Sequence, residues 1–271
     1  MKVFVLGHRG MLGHVIARYL SEQGMEVLTT DLRYTGLPGD PLMDAVRSSG
    51  AEWVINAIGK LDAKTTPSTE MLLVNAQLPV HIKSFLRENQ RLIHASTDGV
   101  FSGKTGNYSV NADRDATDIY GFSKILGEVV AEQGKAIVIR TSVIGPSTKP
   151  ETGLMDWFLS QKQAVNGFTN HLWNGVTTLE WAKVAQRIIE EQFVPSQPIL
   201  HVGSESPVTK YELVKLFAEL WNHRISVSPV ESEISVDRSL ALDASSASIR
   251  EQLVELKSWY KDNLSDNNAQ L

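Results

Sequence analysis

The first 145 residues alternate short apolar runs with segments whose apolar residues recur every three or four positions. KVFVLG (2–7) is an apolar run closed by glycine, and it predicts a strand buried on both faces. Leu12, Val15, Ile16 and Leu20 follow at helical spacing, and Gly24 closes that helix. MEVLTTD (25–31), AEWVINAIG (51–59), RLIHAST (91–97) and AIVIRTSVIG (136–145) predict further strands. A helix is expected from about Met71 to Leu86, and another across DIYGFSKILGE (118–128). The second has a clear apolar stripe: Phe122, Ile125, Leu126, Val129 and Val130.

Strands and helices alternating in this way predict an α/β fold, a Rossmann-like doubly wound parallel sheet. After Gly145 the rhythm breaks. Thr177 with Glu180, and Thr209 with Glu212, have the spacing of capping boxes and mark helix starts. PILHVG (198–203) predicts one more buried strand. The expected division is a main domain of residues 1–145 plus about 174–204. About 146–173 plus 205–271 would form a smaller, mostly helical C-terminal lobe.

Composition narrows the chemistry. The chain is 42% hydrophobic with a formal net charge of −5, which argues against nucleic acid or an anionic membrane as the main partner. It has no cysteine, so thiolate nucleophiles, disulfides and Cys-ligated zinc are excluded. No metal site is expected. No apolar run reaches the roughly 18–20 residues that span a bilayer, and the N-terminus lacks a signal-peptide layout. A reducing, cytoplasmic setting follows.

GHRGMLG carries Gly7, Gly10 and Gly13 between the first strand and the helix that begins near Met11. Glycines there permit a tight turn and close approach of a pyrophosphate, whose oxygens the helix amides of Met11 and Leu12 would receive. The main domain is therefore expected to bind a dinucleotide. Asp31, at the end of the second strand, could bond ribose hydroxyls and favours NAD(H). Arg9 and Arg33 could meet a 2′-phosphate, and they favour NADP(H). NADP(H) is the favoured cofactor, with NAD(H) open.

Tyr120 and Lys124 are i, i+4 neighbours off the apolar stripe. A lysine ammonium beside a phenol would lower the phenol's pKa and make it a usable acid or base. Ser96, Thr97 and Asp98 follow the strand at 91–95, and ligands of such sheets bind at the carboxyl ends of strands. A hydroxyl there could polarise a substrate carbonyl opposite the Tyr–Lys helix.

These segments resemble the short-chain dehydrogenase/reductase superfamily in its extended branch, and most closely the dTDP-4-dehydrorhamnose reductase family. STDGVFSGKTGNY resembles that family's S-T-D-Y-V-F-x-G, YGFSKILGE its Y-G-x-S-K-x-x-G-E, VIRTSVIG its R-T-S strand, and RSLALD (238–243) its R-P-x-x-S-x-L-D. GHRGM also resembles GDP-fucose synthase. The resemblance implies an NAD(P)H-dependent reductase of a nucleotide-activated 4-keto-6-deoxy sugar, in deoxysugar and polysaccharide biosynthesis, and admits a homodimer. It implies that Thr97 bonds the keto oxygen, Tyr120 protonates it, and Lys124 tunes Tyr120 and holds the nicotinamide ribose. Asn56, Ala57 and Gly59 would pack along the cofactor, and Ser142 would face the nicotinamide or substrate.

The departures bear on the sugar. Gly99 stands where the family has tyrosine, and NHLWNGVTT (170–178) stands where it has D-Q-x-G-x-P-T. Asp98, Trp173 and Asn174 are the remaining candidate substrate contacts. A nucleotide-sugar epimerase of the same fold, or a non-catalytic NADP-binding regulatory subunit, are the alternatives.

Overall fold

A computed structural model describes residues 1–61, 65–132, 134–148 and 153–264. The first half alternates as the pattern requires: β1 (Lys2–Leu6), α1 (Gly13–Glu22), β2 (Glu26–Thr29), α2 (Pro41–Ser48), β3 (Trp53–Asn56), α3 (Ser68–Leu72), α4 (Leu78–Phe85), β4 (Arg91–Ala95), α5 (Ile119–Gly127) and β5 (Ala136–Arg140). The helix expected over 71–86 is α3 and α4 joined by a π-helical turn, Leu73–Gln77. The second half runs β6 (Val143–Ile144), α6 (Leu154–Ser160), β7 (Val165–Phe168), β8 (His171–Trp173), β9 (Val176–Thr177), α7 (Thr178–Ile189), β10 (Ile199–Ser204), β11 (Val208–Thr209), α8 (Lys210–Leu220), β12 (Val227–Val230), β13 (Val236–Asp237), β14 (Ala244–Ser246) and α9 (Ile249–Leu264).

A seven-stranded parallel sheet in the order β14-β10-β5-β4-β3-β1-β2 forms the centre, so the fold is Rossmann-like α/β. Strand alternation splits its core. Val3 and Val5 face a cluster with Val15, Ile16 and Leu20 of α1 and with α7 and α9. Phe4 and Leu6 face the other cluster, with α2 and with Leu78 and Ile82 of α4. No helix among the described residues is long and apolar enough to cross a membrane.

The smaller lobe holds more strand than expected. Beside α6 and α8 it contains the sheet β11-β8-β13 and the pair β12-β7. Its last part also departs from the expected division. β14 joins the central sheet beside β10, and Leu253 and Leu256 of α9 lie in the same buried cluster as Val3 and Val5. Thr177 caps α7 by accepting from the Glu180 amide, and Thr209 with Glu212 makes a complete capping box on α8.

The apolar stripe expected along α5 is split: Val130, beyond the helix, is buried in the core and Ile125 packs against the cluster of Val100, Phe101, Tyr108 and Leu240. Phe122, Leu126 and Val129 are exposed, while Ser123 and Lys124, and Glu128 just beyond the helix, are buried. The helix lies against polar backbone, and glycine makes that possible. A Cβ on Gly121 would stand 2.4 Å from the Gly99 carbonyl oxygen, and one on Gly127 would stand 2.2 Å from that of Asn75. Glu128 then locks the helix to the sheet. Its Oε1 accepts from Ser96 Oγ at 2.6 Å and Arg140 Nε at 2.8 Å, and its Oε2 from Arg140 Nη2 at 2.7 Å and Arg114 Nη1 at 3.2 Å.

Breaking a buried ion pair leaves its partner uncompensated, so Glu128→Gln should lower unfolding stability by about 3–5 kcal/mol. A shift of the urea midpoint at unchanged slope reads this directly. A midpoint that stays put would show that the pair does not hold α5.

Candidate active site

The glycine turn forms as its spacing requires. Gly7 has φ of +88°, and a Cβ there would reach 3.0 Å from the Ala57 carbonyl carbon. Gly13 starts α1 so close beneath the loop that a Cβ would lie 2.1 Å from Gly7 O. Gly10 is looser, its Cβ position meeting only Gly7 O at 3.3 Å. Gly13 therefore holds the fold, and Gly10 is the glycine left facing the cleft. That cleft, of about 550 Å³, is lined by Gly7, Arg9, Gly10, Met11, Asp31, Arg33 and Gly59, together with His8, Leu32, Ile58, Leu61, Ser147 and Thr148. Ser147 and Thr148 were missed from sequence, because loop composition after Gly145 gives no sign of the return to the glycine turn. Thr148 Oγ1 donates to the Arg9 carbonyl.

Two opposing sequence signals meet at the rim. Arg9 Nη2 donates to Asp31 Oδ2 at 2.5 Å, and His8 Nε2 lies 3.5 Å from Asp31 Oδ1. Arg33 lines the same cleft. A dinucleotide fits this cradle: an open glycine turn, a helix start and a charged rim. Leu12 and Ala57 pack against the core beneath it. Asn56 does not face the cleft: it is fully buried, its amide nitrogen 3.2 Å from His94 Nδ1 and its oxygen accepting from Ile58 N. Its side chain shapes the loop after β3.

Thr97, Tyr120 and Lys124 come together at the carboxyl end of β4. Thr97 Oγ1 accepts from Gly99 N at 3.0 Å and donates to Asp98 Oδ1 at 3.2 Å. A Cβ on Gly99 would lie 3.1 Å from Tyr120 Cε1 and 3.3 Å from Thr97 Oγ1, so the phenol ring and the hydroxyl flank this glycine. Lys124 Nζ donates to Ala95 O at 2.6 Å. Asp118 caps α5 by accepting from Gly121 N at 2.7 Å. Asn75, in the π turn, ties the site together: it accepts from Lys60 N at 2.8 Å and donates to Lys60 O at 2.9 Å and Ser123 Oγ at 3.0 Å. Sequence periodicity does not single it out.

The electrostatics correct one expectation. The Tyr120 phenol is not pushed down. Burial pushes it up to about 12; the Thr97 hydroxyl and Arg238 oppose this, and Asp98 and Asp118 add to it. Burial also pushes Lys124 down to about 8, with Glu128 pulling the other way. Desolvation of each group outweighs the attraction expected between them. Asp98 is raised by burial, against the pull of Arg238 and Lys210.

Two proposed substrate contacts fall away. Asn174 spends its amide on Leu240, donating to its carbonyl and accepting from its amide, both at 2.9 Å. Trp173 is 2% exposed and packed in the main core, so no sugar can stack on it. Ser142 stays half-buried beside the site, its carbonyl accepting from Val176 N.

A family model described as the RmlD substrate binding domain matches residues 1–259. A dTDP-4-dehydrorhamnose reductase of Aggregatibacter actinomycetemcomitans is 29% identical over 153 residues, 52% of this chain and 51% of that one. The chain thus matches about half the length of that relative. A Haloferax volcanii protein named "probable low-salt glycan biosynthesis reductase Agl14" is 24% identical over 261 residues, 88% of this chain and 85% of that one. Among solved structures, a Bacillus anthracis dTDP-4-dehydrorhamnose reductase in complex with NADP has a TM-score of 0.78 at 16% identity, covering 95% of this chain and 99% of that one. One from Clostridium acetobutylicum has a TM-score of 0.78 at 18% identity, covering 96% of this chain and 100% of that one. At these identities the likeness shows the fold.

The depressed lysine can be read directly. Between about 8 and the ordinary 10.5, the unfolded chain holds a proton that folded Lys124 has lost, so this group's contribution to stability rises with pH across that window. Carbon-13 NMR of lysine-labelled protein should show a resonance titrating near pH 8 that Lys124→Met removes. If every lysine titrates at its ordinary value, Lys124 is not desolvated as described.

Proposed function

The chain belongs to the RmlD substrate binding domain family, and on that premise we propose that it is an NAD(P)H-dependent oxidoreductase. It reduces the keto group of a nucleotide-activated 4-keto-6-deoxy sugar, in deoxysugar and polysaccharide biosynthesis. The relatives named dTDP-4-dehydrorhamnose reductase support this substrate class. The observation that carries the reading is the convergence of Thr97, Tyr120 and Lys124 at the carboxyl end of β4, in the same parallel sheet whose β1 ends in the open glycine cleft.

In the reductive direction the high phenol pKa is an asset. Tyr120 stays protonated at neutral pH and can give its proton to the oxygen that becomes a hydroxyl. Thr97 holds that oxygen in line with its own hydroxyl. Lys124, anchored on Ala95 O, has two N–H bonds left for the phenol and for a ribose hydroxyl. Bound in the cleft, a reduced nicotinamide supplies the hydride. NADPH is preferred: Arg9 and Arg33 offer two cations to a 2′-phosphate, and the phosphate competes with Asp31 for Arg9. The absence of cysteine and of an apolar span supports a cytoplasmic setting.

The assay is NADPH absorbance with a panel of nucleotide 4-keto-hexoses, repeated with NADH to read the preference. Tyr120→Phe removes one hydroxyl and should lower turnover by roughly 10²–10⁴ while cofactor affinity survives. Near-normal turnover in that variant would overturn the assignment. Tight NADPH binding with no reduction of any keto sugar would move the chain to a non-catalytic role.

The reading includes a homodimer. Phe122 and Leu126 of α5 and Val129 just beyond it are 49%, 55% and 44% exposed, and Leu72 and Val80, 36% and 38% exposed, line a groove with Leu126. A two-fold axis across α5 would cover both copies of the stripe. Leu126→Glu should then convert a sedimenting dimer to monomer without loss of helicity. A wild-type protein that sediments as a monomer removes this part of the reading.

A further inference from the structure

The end of α9 reaches the glycine turn through one imidazole. His14, in the first turn of α1, is the meeting point. Its Nδ1 lies 2.8 Å from the Gly10 carbonyl oxygen, and its Nε2 lies 2.7 Å from the Tyr260 hydroxyl. A carbonyl oxygen can only accept, so Nδ1 carries the proton. In the neutral ring Nε2 then accepts, and the Tyr260 hydroxyl donates to it. Both groups are biased toward the forms this requires. Burial pushes the imidazole pKa down; hydrogen bonds to the Gly10 and Met11 backbone oppose this, and Arg18 adds to it. Burial pushes the Tyr260 phenol up, Asp156 adds to this, and Arg18 opposes it.

The surrounding contacts hold Tyr260 where it is. Its side chain is buried, and Leu253 and Leu256 of the same helix lie in the main core. Trp259 Nε1 donates to Glu22 Oε2 at 2.8 Å, and the Arg18 guanidinium lies 5.8 Å from the centroid of the Trp259 ring, so the last turns of α9 lie along α1. Asp156 of α6, whose charge acts on the phenol, accepts from Ser147 N at 2.9 Å, and Ser147 lines the cofactor cleft.

Gly10 is the part of the turn with the most freedom to move, since a Cβ there would meet only Gly7 O at 3.3 Å. Its N–H is spent on Gly7 O at 2.8 Å. Its carbonyl accepts twice from His14, from the backbone N at 3.1 Å and from the ring at 2.8 Å. A trans peptide is planar, with its C=O and N–H opposed. Holding Gly10 O toward α1 therefore turns the Met11 N–H away from α1, toward the cleft that Met11 lines. That amide is one of those that would receive a diphosphate oxygen. A donor aimed before the ligand arrives needs no reordering on binding.

We propose that Tyr260 is a positioning residue for cofactor binding: it fixes the tautomer of His14, and His14 fixes the Gly10–Met11 peptide for the diphosphate. This rests on the NAD(P)H reading above and adds the C-terminal helix to the cofactor site. Both side chains act from behind the turn, through the peptide they hold.

The test joins nitrogen-15 NMR of histidine-labelled protein with calorimetry for NADPH and for adenosine 2′-phosphate, which lacks the diphosphate. At neutral pH the wild type should show an imidazole protonated at Nδ1 alone, whose signals His14→Asn removes. Tyr260→Phe should turn that ring into a mixture of tautomers and weaken NADPH by about three- to tenfold, while adenosine 2′-phosphate binds as before. His14→Leu should weaken NADPH at least as much. His14→Asn keeps an amide that can donate to Gly10 O and should recover most of the affinity lost in His14→Leu. In the His14→Asn background Tyr260→Phe should cost nothing further, because Tyr260 acts only through the imidazole. A loosened helix would instead weaken both ligands and persist in that background, and this outcome overturns the proposal. So does a wild-type His14 protonated at Nε2, or a folded Tyr260→Phe protein with wild-type affinity for NADPH. A wild-type protein that binds neither NADPH nor NADH overturns the NAD(P)H reading together with the proposal.

Discussion

Where α5 lies is decided by one carboxylate. Glu128 follows the helix directly and is fully buried, so it must be surrounded by donors. Those donors come from Ser96 after β4, Arg140 at the end of β5, and Arg114 in the loop before α5. Three separate pieces of chain are thereby fixed to the end of one helix. Such a pair contributes little net stability over an apolar substitute, but it admits few alternative positions. One turn earlier on the same helix stands Lys124, and one turn before that Tyr120. The glycines at 121 and 127 let the helix approach closely enough for the arrangement to close.

The same burial shifts the pKa values of the two reactive side chains in opposite directions. Removing a neutral phenol from water makes it harder to ionise, while removing an ammonium makes it easier to neutralise. Tyr120 and Lys124 are therefore both biased toward their uncharged forms. A carbonyl reduction needs a protonated donor, and burial supplies it without help from the lysine. At Lys124 burial is the larger effect, and the Glu128 carboxylate opposes it by favouring the ammonium. The carboxylate that fixes α5 thus also acts on the ammonium that the cofactor would meet.

The central strands were legible because each is an apolar run closed by a turn residue, a pattern with few other interpretations. The capping threonines at 177 and 209 were legible for a similar reason: a hydroxyl three residues before glutamate has a local geometric meaning. The apolar stripe expected across 118–130 does not form one face: the helix ends at Gly127, Val130 is buried, and Phe122, Leu126 and Val129 are exposed. Its partners, the backbone oxygens at Gly99 and Asn75, have no signature in side-chain pattern. Asn174 was read as a ligand contact because it is polar and near the site, yet its amide serves the backbone of Leu240.

Gly99 connects these threads. The related family carries tyrosine at this position, and here a Cβ would come 3.1 Å from the Tyr120 ring. Any side chain at 99 must lean on the phenol or be held away from it by the surrounding loop. Glycine leaves the space beside the Tyr120 ring and the Thr97 hydroxyl open, and a larger residue at 99 would make one of the two give by a few tenths of an ångström.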